Sequence, residues 1–538
     1  TGHNAFDLPC DLSDIERIEV LEGPAGRVYG TSSLAGAINI VTKQAAQTGG
    51  DVRLEGGSFG YLSAGGRISL HPSSLHTPPS TTHSLSASYT RSDGYQRSKA
   101  GRLNSDYSGG KVFCQGGFND EKIRLSWHAG LSTKGWGSNT FYSAKYDEQF
   151  EKTTKLYTAI KGETKGWFHL SPSIYWNRSY DRFELIRDSE EKVKFNYHRT
   201  DVFGVNLNSW FDWAAGRTAF GAEFRNEDII SGNLGEPLNE PKHISGTGRD
   251  YQYGLNRSNL SFHLEHNILL QRFTLSAGFI AVRNTWNEMP FTVYPGIDAS
   301  YRIGNNWKIY ASYNSSLRMP SFTELYYSVG GHKADKYLKP EELRAVEGGI
   351  KYLTPAVTAQ ASVYYHHCSN MIDWIMDTRD AEAVWQSVNH TKVNSVGAET
   401  LLSFDLERLF RIERSTFNIA YNYIRQDKDE ADYIQSQYSL EYLRHKLTAA
   451  LQLHLVSQLD LTLKYRWQDR TGSYTDTEGQ VCDYQPYGVT DARLSWNADT
   501  YSIYLDANNL FDKHYVDYGN VRQPGIWIVV GGKLHFNL

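Results

Sequence analysis

The residues best suited to contact a ligand lie in one polar stretch that follows Trp136. This stretch contains Tyr142, Tyr146, Asp147, Glu148 and Glu151. Asp147 and Glu148 offer carboxylate oxygens, which are hard ligands. Tyr142 and Tyr146 are candidate substrate-binding residues, because a phenol offers both an aromatic ring and a hydroxyl. The alternative interpretation is an ordinary solvated loop.

The sequence contains no evident cluster of a nucleophile with a base. There is no HExxH or P-loop motif either, so no catalytic residue is predicted and the chain is not expected to be an enzyme. The cysteines are far apart and lack CxxC or zinc-ligand spacing, which leaves them either free or paired across neighbouring loops. They are Cys10, Cys114, Cys368 and Cys482.

The composition excludes one class of partner and favours another. The net charge is -5, with basic and acidic residues interspersed, so no basic field for nucleic acid is present. The 36 Tyr and 13 Trp suit a membrane interface or ligand-contacting loops, although a Tyr-rich extracellular β-protein has the same composition. No apolar run is long enough for a transmembrane helix. Transmembrane β-strands face lipid with every second residue only, so they remain compatible with this sequence.

Strict alternation of apolar and polar residues predicts the elements that position these groups. One face of the stretch 459–467 is apolar and the other is polar or charged, and the same pattern occurs at 273–279, 307–313 and 503–507. The pattern persists from Asp51 to the C-terminus, with no amphipathic helix of the length that βαβ units require. Residues 1–44 differ, with short mixed α/β patterning.

Length separates a soluble β-sandwich from a membrane barrel. A single soluble core stops growing at about 250–300 residues, and no linker divides the alternating region. At about 22 residues per strand and connection, a spacing guided partly by the family resemblance given below, the region would supply on the order of 22 strands, the size class of barrel that carries a plug in its lumen. The last segment, 526–538, alternates with Phe536 near its end and is expected to be the closing strand.

A segment near the N-terminus closely resembles the plug signature of TonB-dependent receptors. The segment 14–43 reads DIERIEVLEGPAGRVYGTSSLAGAINIVTK. Residues that match the signature, or that carry its charges, are Ile15, Glu16, Arg17, Ile18, Glu19, Val20, Glu22, Gly23, Pro24, Arg27, Tyr29, Gly30, Gly36, Ile38, Asn39, Ile40 and Thr42.

The resemblance continues along the barrel region. The segment 317–327, LRMPSFTELYY, is similar to the FRAPxxxELY box of these receptors, and 338–352 is similar to the LKPE strand that follows it. The segment 508–536 resembles their closing NLFDKxY…PGR segment, with Ile526 where arginine is usual.

The resemblance implies the C-terminal part of an α/β plug at 1–44 inside a 22-stranded transmembrane barrel at 45–538, in the outer membrane of a Gram-negative bacterium. Ile18 and Val20 are expected to pack on the buried face of the plug, and the plug charges are expected to meet charges of the barrel wall. Energy would come through TonB of the TonB–ExbB–ExbD complex. The first part of the plug, with the TonB box, is expected to precede Thr1 in a longer precursor.

Within the family, the segments 1–30 and 370–374 look most like cobalamin receptors, which implies vitamin B12 as the transported ligand. His3 and Asn4 would then be hydrogen-bonding candidates at the extracellular mouth. In enteric cobalamin receptors loop carboxylates bind calcium, so the resemblance makes Asp147 and Glu148 candidate calcium ligands, although this sequence has no matching ligand motif. A substrate-binding lipoprotein at the mouth also occurs in that branch.

The sequence leaves alternatives open for the transported ligand and for the functional class. Haem receptors place an axial histidine between their two barrel boxes, where this chain has His332, and siderophore receptors rank behind them. A surface adhesin, from a different functional class, would explain the Tyr-rich loops but not the plug signature.

Overall fold

The chain folds into one closed β-barrel. The computed structural model describes residues 8–22, 34, 36–44, 47–71, 80–286, 289–377, 379, 380, 384–427, 434–436 and 442–537. These form an antiparallel barrel of 22 strands, as the sequence predicted. The described helices are short: a 3₁₀ turn at Leu12–Asp14 and α-helices at Phe322–Tyr326 and Leu406–Phe410. None of them has the length and hydropathy needed to cross a membrane.

The strands are numbered in chain order, and β1 (Ile15–Glu22) and β2 (Gly36–Thr42) form a separate two-stranded sheet. The 22 barrel strands are β3 (Gly49–Gly57), β4 (Tyr61–Leu70), β5 (Ser80–Ser92), β6 (Tyr107–Asn119), β7 (Ile123–Asn139), β8 (Gln149–Thr164), β9 (Phe168–Glu184), β10 (Asn196–Trp213), β11 (Gly216–Ser231), β13 (Asp250–Leu269), β14 (Phe273–Asn284), β15 (Thr292–Ile303), β16 (Trp307–Arg318), β18 (Glu341–Leu353), β19 (Val357–Asp377), β20 (Trp385–Asp405), β21 (Thr416–Asp427), β23 (Leu443–Val456), β24 (Leu459–Arg470), β27 (Tyr487–Asn497), β28 (Tyr501–Asn508) and β29 (Trp527–Asn537). Short strands in the connections are β12 (Glu236–His243), β17 (His332–Lys333), β22 (Ile434–Ser436), β25 (Ser473–Thr475) and β26 (Val481–Asp483).

The last strand closes the barrel against the first. β29 pairs antiparallel with β3, with Val530 opposite Gly56 and Leu534 opposite Val52. The expected closing role of the C-terminal segment is therefore confirmed. Closure gives each edge of the sheet a partner strand for its backbone hydrogen bonds.

Alternation along the strands separates an apolar outer face from a polar inner face. In β28, Ile503 and Leu505 are exposed on the outside. Tyr504, between them, donates a hydrogen bond from its hydroxyl to Glu55 across the inner wall. The predicted strands at 459–467, 273–279 and 307–313 lie within β24, β14 and β16. An apolar exterior around a polar interior is typical of a barrel that sits in lipid.

The two ends of the barrel differ in the length of their connections. At one end, called the turn end, strands are joined by short turns such as 165–167, 214–215 and 270–272. At the other end, called the loop end, connections such as 93–106 and 319–340 are long. The large loops therefore gather around one mouth.

The β1–β2 sheet corrects one expectation. Ile18 and Val20, predicted to be buried, are 54% and 65% exposed, and Ile38 on β2 is 71% exposed. The reason is that β1 pairs with β2 alone, and among the described residues no element covers their apolar face.

Candidate substrate-binding cavity at the mouth of the barrel

A cavity of about 1040 Å³ opens among the connections of the loop end. Its walls come from the loop 140–148, from β22, from the β24–β27 connection and from the β28–β29 connection. These segments are far apart in sequence and meet only because the barrel closes. The cavity is at the upper end of the size range of small-molecule sites, about 300–1,000 Å³. It is called the mouth cavity below.

The lining of the mouth cavity includes eight aromatic side chains, with cationic side chains among the rings. The positively charged or titratable bases are Arg425, Arg444 and His445. Rings and guanidinium groups together suit a large ligand that has both apolar surface and hydrogen-bond acceptors. The aromatic lining residues are Phe141, Tyr142, Trp385, Tyr423, Tyr442, Tyr474, Tyr484 and Tyr518.

Tyr142 occupies its place because a buried glutamine organises its loop. The Gln149 side chain is fully buried and donates from Nε2 to the carbonyl oxygens of Ser143 and Tyr146, at 2.9 and 2.6 Å. Its Oε1 accepts the backbone N–H of Tyr142 at 3.1 Å. Each polar atom of the amide therefore holds the loop, and Tyr142 is directed toward the cavity.

The Tyr142 hydroxyl also satisfies a buried carboxylate. It donates to Glu151 Oε2 at 2.5 Å, and Glu151 is fully buried. Burial, followed by the charge of Glu151, raises the pKa of Tyr142 well above the usual range of a phenol. The hydroxyl is therefore neutral at physiological pH and acts as a hydrogen-bond donor.

Neighbouring loops brace this wall of the cavity. The backbone N–H of Lys99 donates to the Asp147 carboxylate at 2.6 Å. Arg187 forms two hydrogen bonds with the Asp106 carboxylate, at 2.7 and 3.0 Å, and lies 4.2 Å from the centre of the Phe150 ring. Three separate loops are thus fixed to one another on this side of the mouth.

The same contacts bear on the expected calcium site. Asp147 already accepts the Lys99 N–H, and the Glu148 backbone oxygen accepts the Arg187 N–H at 2.9 Å. Within the described part of the chain, no group of three or more His, Cys, Asp or Glu side chains is arranged to hold a metal ion. The geometry gives no support to calcium at Asp147 and Glu148.

The opposite wall is organised by Asp517 in the β28–β29 connection. Its carboxylate accepts hydrogen bonds from Gln468 Nε2 and the Tyr487 hydroxyl, at 2.5 and 2.8 Å. Arg470 donates to its backbone oxygen and lies 5.5 Å from the Tyr518 ring. Asp517 therefore ties the closing loop to β24 and β27, and this tie places Tyr518 against the cavity.

The other candidates do not line the mouth cavity. His332 packs edge-on against Tyr327 and Trp374, with ring centres 5.5 and 5.3 Å away, and β17 pairs with the start of β20. Tyr146 is absent from the lining, although its backbone oxygen holds the loop through Gln149. His3 and Asn4 lie outside the described residues. All four cysteines are free.

Sequence reasoning found Tyr142 but missed the cationic residues of the cavity. Arg425 and Arg444 stand at the ends of β21 and β23, next to connections with no distinctive motif. When the partner loops are unknown, an arginine at the end of a strand is interpreted as a charge exposed to solvent. Their convergence follows from the circular order of the strands.

A second set of polar contacts lies inside the barrel, around the turn Asp11–Asp14, called the luminal turn below. Asp11 pairs with Arg53 of β3 at 3.3 Å, and Asp14 pairs with Arg67 of β4 at 3.4 Å. The Ser86 hydroxyl of β5 donates to Asp14 at 2.6 Å. These barrel groups point inward, so the luminal turn is held against the inner wall.

The contacts of the luminal turn refine the expectation about plug charges. The described ion pairs of Arg17 are with Glu16 and Glu19 of its own strand, at 3.1 and 2.8 Å. Asn39 of β2 donates to Glu19 at 2.8 Å. The carboxylates described in contact with the wall are instead Asp11 and Asp14, which precede the signature strand. Gly23, Pro24, Arg27, Tyr29 and Gly30 lie outside the described residues, as does the side chain of Glu22.

Comparison with known families decides the assignment. The family model described as TonB dependent receptor-like, beta-barrel, matches residues 46–510, most of the chain. The chain belongs to the TonB-dependent receptor family. Barrels of this type are outer-membrane proteins of Gram-negative bacteria, so the receptor is an outer-membrane protein.

Two curated relatives of the receptor carry the same printed name, Vitamin B12 transporter BtuB. The protein from Vibrio vulnificus is 24% identical over 398 residues, which cover 72% of this chain and 60% of the relative. The protein from Photobacterium profundum is 21% identical over 533 residues, covering 94% of this chain and 77% of the relative. The receptor chain thus spans about three fifths to three quarters of their lengths.

Solved structures support the fold of the receptor. The apoprotein form of the FrpB iron transporter (F5-1 variant) from Neisseria meningitidis superposes with a TM-score of 0.76 at 15% identity. The match covers 97% of this chain and 87% of that structure. At this identity the likeness establishes the architecture alone.

Proposed function

We propose that the receptor imports cobalamin across the outer membrane through TonB-dependent transport. The observation that carries the proposal is the mouth cavity, which combines aromatic rings with the guanidinium groups of Arg425 and Arg444. Cobalamin presents a large ring system with amide side chains and an anionic phosphodiester. Rings can pack on its apolar surface, and the guanidinium groups can donate hydrogen bonds to the phosphate.

The relatives give independent support for this cargo. Both are named vitamin B12 transporters, and one match extends over 94% of the receptor chain. The segment 370–374, noted for its resemblance to cobalamin receptors, includes Asp373 and Trp374, which are both buried. The Ser436 hydroxyl of β22, on the cavity wall, donates to Asp373. This segment therefore supports the cavity wall from behind.

We also propose that residues 1–44 are the C-terminal part of a plug and that the loop end faces the outside of the cell. The contacts of Asp11 and Asp14 with inward-facing barrel groups support a position in the lumen. Leu34 adds a contact with a distant part of the wall, because its backbone oxygen accepts the Ser316 hydroxyl at 3.2 Å. TonB would act on the plug from the turn end, and catalysis plays no part in this mechanism.

Haem is the second candidate cargo, and one residue favours it. His332 lies in the interval where haem receptors carry an axial ligand, and its Nδ1 is buried without a hydrogen-bond partner among the described residues. However, Tyr327 and Trp374 pack against its ring, and His332 does not reach the mouth cavity. Haem therefore ranks below cobalamin. A ferric siderophore ranks third, and a surface adhesin leaves the luminal contacts of residues 8–44 unexplained.

Calorimetric titration of the detergent-purified receptor tests the cargo. Cyanocobalamin is expected to bind, and haemin is not. Arg444→Gln and Arg425→Gln should each weaken cyanocobalamin binding by about tenfold, because a charge-assisted hydrogen bond is lost in each variant. Arg302→Gln is the matched control, since Arg302 is an exposed arginine at the turn end. This variant should bind cyanocobalamin with the affinity of the unmodified receptor.

Two outcomes would contradict the proposal. Haemin binding that His332→Ala abolishes would transfer the assignment to haem. Cyanocobalamin binding that is unaffected by both cavity variants would move the site away from the mouth cavity.

A further inference from the structure

A cluster of aromatic and charged side chains lies on the outer wall of the barrel, away from the mouth cavity and the lumen. It consists of Trp176, Arg178 and Tyr180 on β9 and of Arg199 and Asp201 on β10, and is called the outer patch. Arg178 stands directly opposite Asp201, and Tyr180 directly opposite Arg199. Tyr180 is exposed, as is Phe203 next to Asp201 on the same outer face.

The height of the outer patch coincides with one boundary of the membrane. Near the turn end, Trp167, Phe168 and Phe211 form an aromatic cluster on the outside, with ring centres 5.6–6.4 Å apart. Arg178 follows Phe168 by about ten residues, which at about 3.3 Å per residue and a tilt of about 40° is a rise of about 25 Å. That rise equals the apolar band of an outer-membrane barrel, about 25 Å tall.

The contacts inside the outer patch fix its guanidinium groups in place. Arg178 binds Asp201 through Nε and Nη2, at 2.7 and 3.2 Å, and lies 5.0 Å from the Trp176 ring centre. The Trp176 indole N–H donates to the same carboxylate at 3.0 Å. Arg199 places Nε 3.2 Å from the other oxygen of Asp201. Two guanidinium groups therefore share a single carboxylate.

The surroundings leave the outer patch with a net positive charge. Lys152 on β8 is exposed and adds an ammonium group on the same face. Asp228 on β11 stands opposite Asp201 and adds one carboxylate, which accepts a hydrogen bond from Asn256 at 3.1 Å. Counting Arg178, Arg199 and Lys152 against the two carboxylates leaves one positive charge, and the ion pair of Arg182 with Glu184, at 2.8 Å, adds no net charge. In the headgroup layer, that surplus is complementary to a phosphate.

We propose that the outer patch binds a phosphate-bearing lipid headgroup of the outer leaflet of the outer membrane. The guanidinium groups donate to the phosphate oxygens, and Trp176 and Tyr180 lie at the level where amphipathic rings meet headgroups. The apolar strand surface below, at Phe203, Val205 and Leu207, contacts the acyl chains. The assignment to the outer leaflet depends on the proposed orientation of the loop end, but it is independent of the cargo.

Native mass spectrometry of the detergent-purified receptor with bis-phosphorylated lipid A tests the proposal. The receptor should retain one lipid A, and Arg178→Gln/Arg199→Gln should lower the apparent affinity by about tenfold. Arg217→Gln is the matched control, because Arg217 likewise lies over a tryptophan, Trp210, and binds an aspartate, Asp212, but at the turn end. Asp201→Asn should strengthen binding, since it removes the compensating carboxylate.

Two comparisons separate the headgroup from other sources of binding. Dephosphorylated lipid A should bind more weakly, and inorganic phosphate at equal concentration should not displace lipid A. Equal binding of both lipids, or an unchanged affinity in the double arginine variant, would overturn the proposal. If the double arginine variant does not fold, the Asp201→Asn variant tests the proposal instead. An Asp201→Asn variant whose affinity for lipid A does not increase would overturn the proposal. Cyanocobalamin titration of the same variants reports on the cargo separately.

Discussion

At the scale of single residues, the inner wall repeats one device, in which a tyrosine ring lies over a glycine of the next strand. Tyr310 stands opposite Gly349, and its hydroxyl donates to Glu347 at 3.0 Å. Tyr504 stands opposite Gly531 and donates to Glu55. The missing side chain of glycine makes room for the ring, and the carboxylate satisfies its hydroxyl. At these two positions an aromatic ring is therefore packed on the polar inner wall with its hydroxyl satisfied.

Substituting one of these glycines measures what the device contributes to stability. An added Cβ at Gly349 would lie 2.5 Å from the Tyr310 ring, so the ring must move and lose its bond to Glu347. We expect Gly349→Ala to destabilise the barrel by about 1–3 kcal/mol, the cost of overpacking. At Gly348 the nearest atom would be 3.9 Å away, so Gly348→Ala is the matched control and should be nearly neutral. Urea unfolding in detergent compares them, and equal midpoints would show that the ring is not held in place.

At the scale of elements, the strands were predictable and the contacts between loops were not. Alternation at 459–467 and 503–507 predicted β24 and β28 because each strand has one apolar and one polar face. The same alternation occurs in a soluble sandwich, so the direction of the apolar face came from the length of the region and from the family resemblance. The pairing of Arg187 with Asp106 depends on two loops separated by four strands. No local pattern encodes which loops meet.

The contacts of the luminal turn were likewise not predictable from local sequence patterns. Their carboxylates predict how the stability of this region depends on pH. Burial raises the pKa of Asp11, but the Arg53 guanidinium and the Ser13 donors outweigh burial and hold the pKa below the ordinary value of 3.8. Burial raises the pKa of Asp14 despite its Ser86 bond. The stabilising contribution of Asp11 is therefore complete above pH 3.8 and is lost as the pH falls through the lower folded-state pKa. Asp14 behaves in the opposite sense, because its folded state favours the protonated form.

Hydrogen exchange of the β1–β2 amides, corrected for the intrinsic rates, measures this pH dependence. Protection is expected to fall when the pH drops below 3.8, and Asp11→Asn should remove that acid-dependent step. Asp120→Asn is the control, because Asp120 lies at the turn end, far from the luminal turn in sequence, and its carboxylate accepts the backbone N–H groups of Lys122 and Ile123. If the protection of the β1–β2 amides in Asp11→Asn still falls by the same amount at acid pH, a group other than Asp11 anchors the sheet.

At the scale of the whole molecule, the different lengths of the connections give the barrel a direction. The long loops form the mouth cavity at one end of the barrel. The short turns and the aromatic cluster around Trp167 lie at the other end. The luminal turn is held to β3, β4 and β5, of which β3 pairs with the closing strand. The proposed import requires this polarity, because the ligand must be captured on one side and energy must be supplied from the other.

Labelling of intact cells with a membrane-impermeant maleimide tests that direction. Lys145 is exposed in the loop 140–148, and Glu121 is exposed in the turn 120–122 at the opposite end. In a background in which all four native free cysteines are replaced by serine, Lys145→Cys should be labelled in intact cells. Glu121→Cys should react only after the outer membrane is permeabilised. The reverse pattern would place the mouth cavity on the periplasmic side, where it could not capture a nutrient from outside, and would exclude import through this cavity.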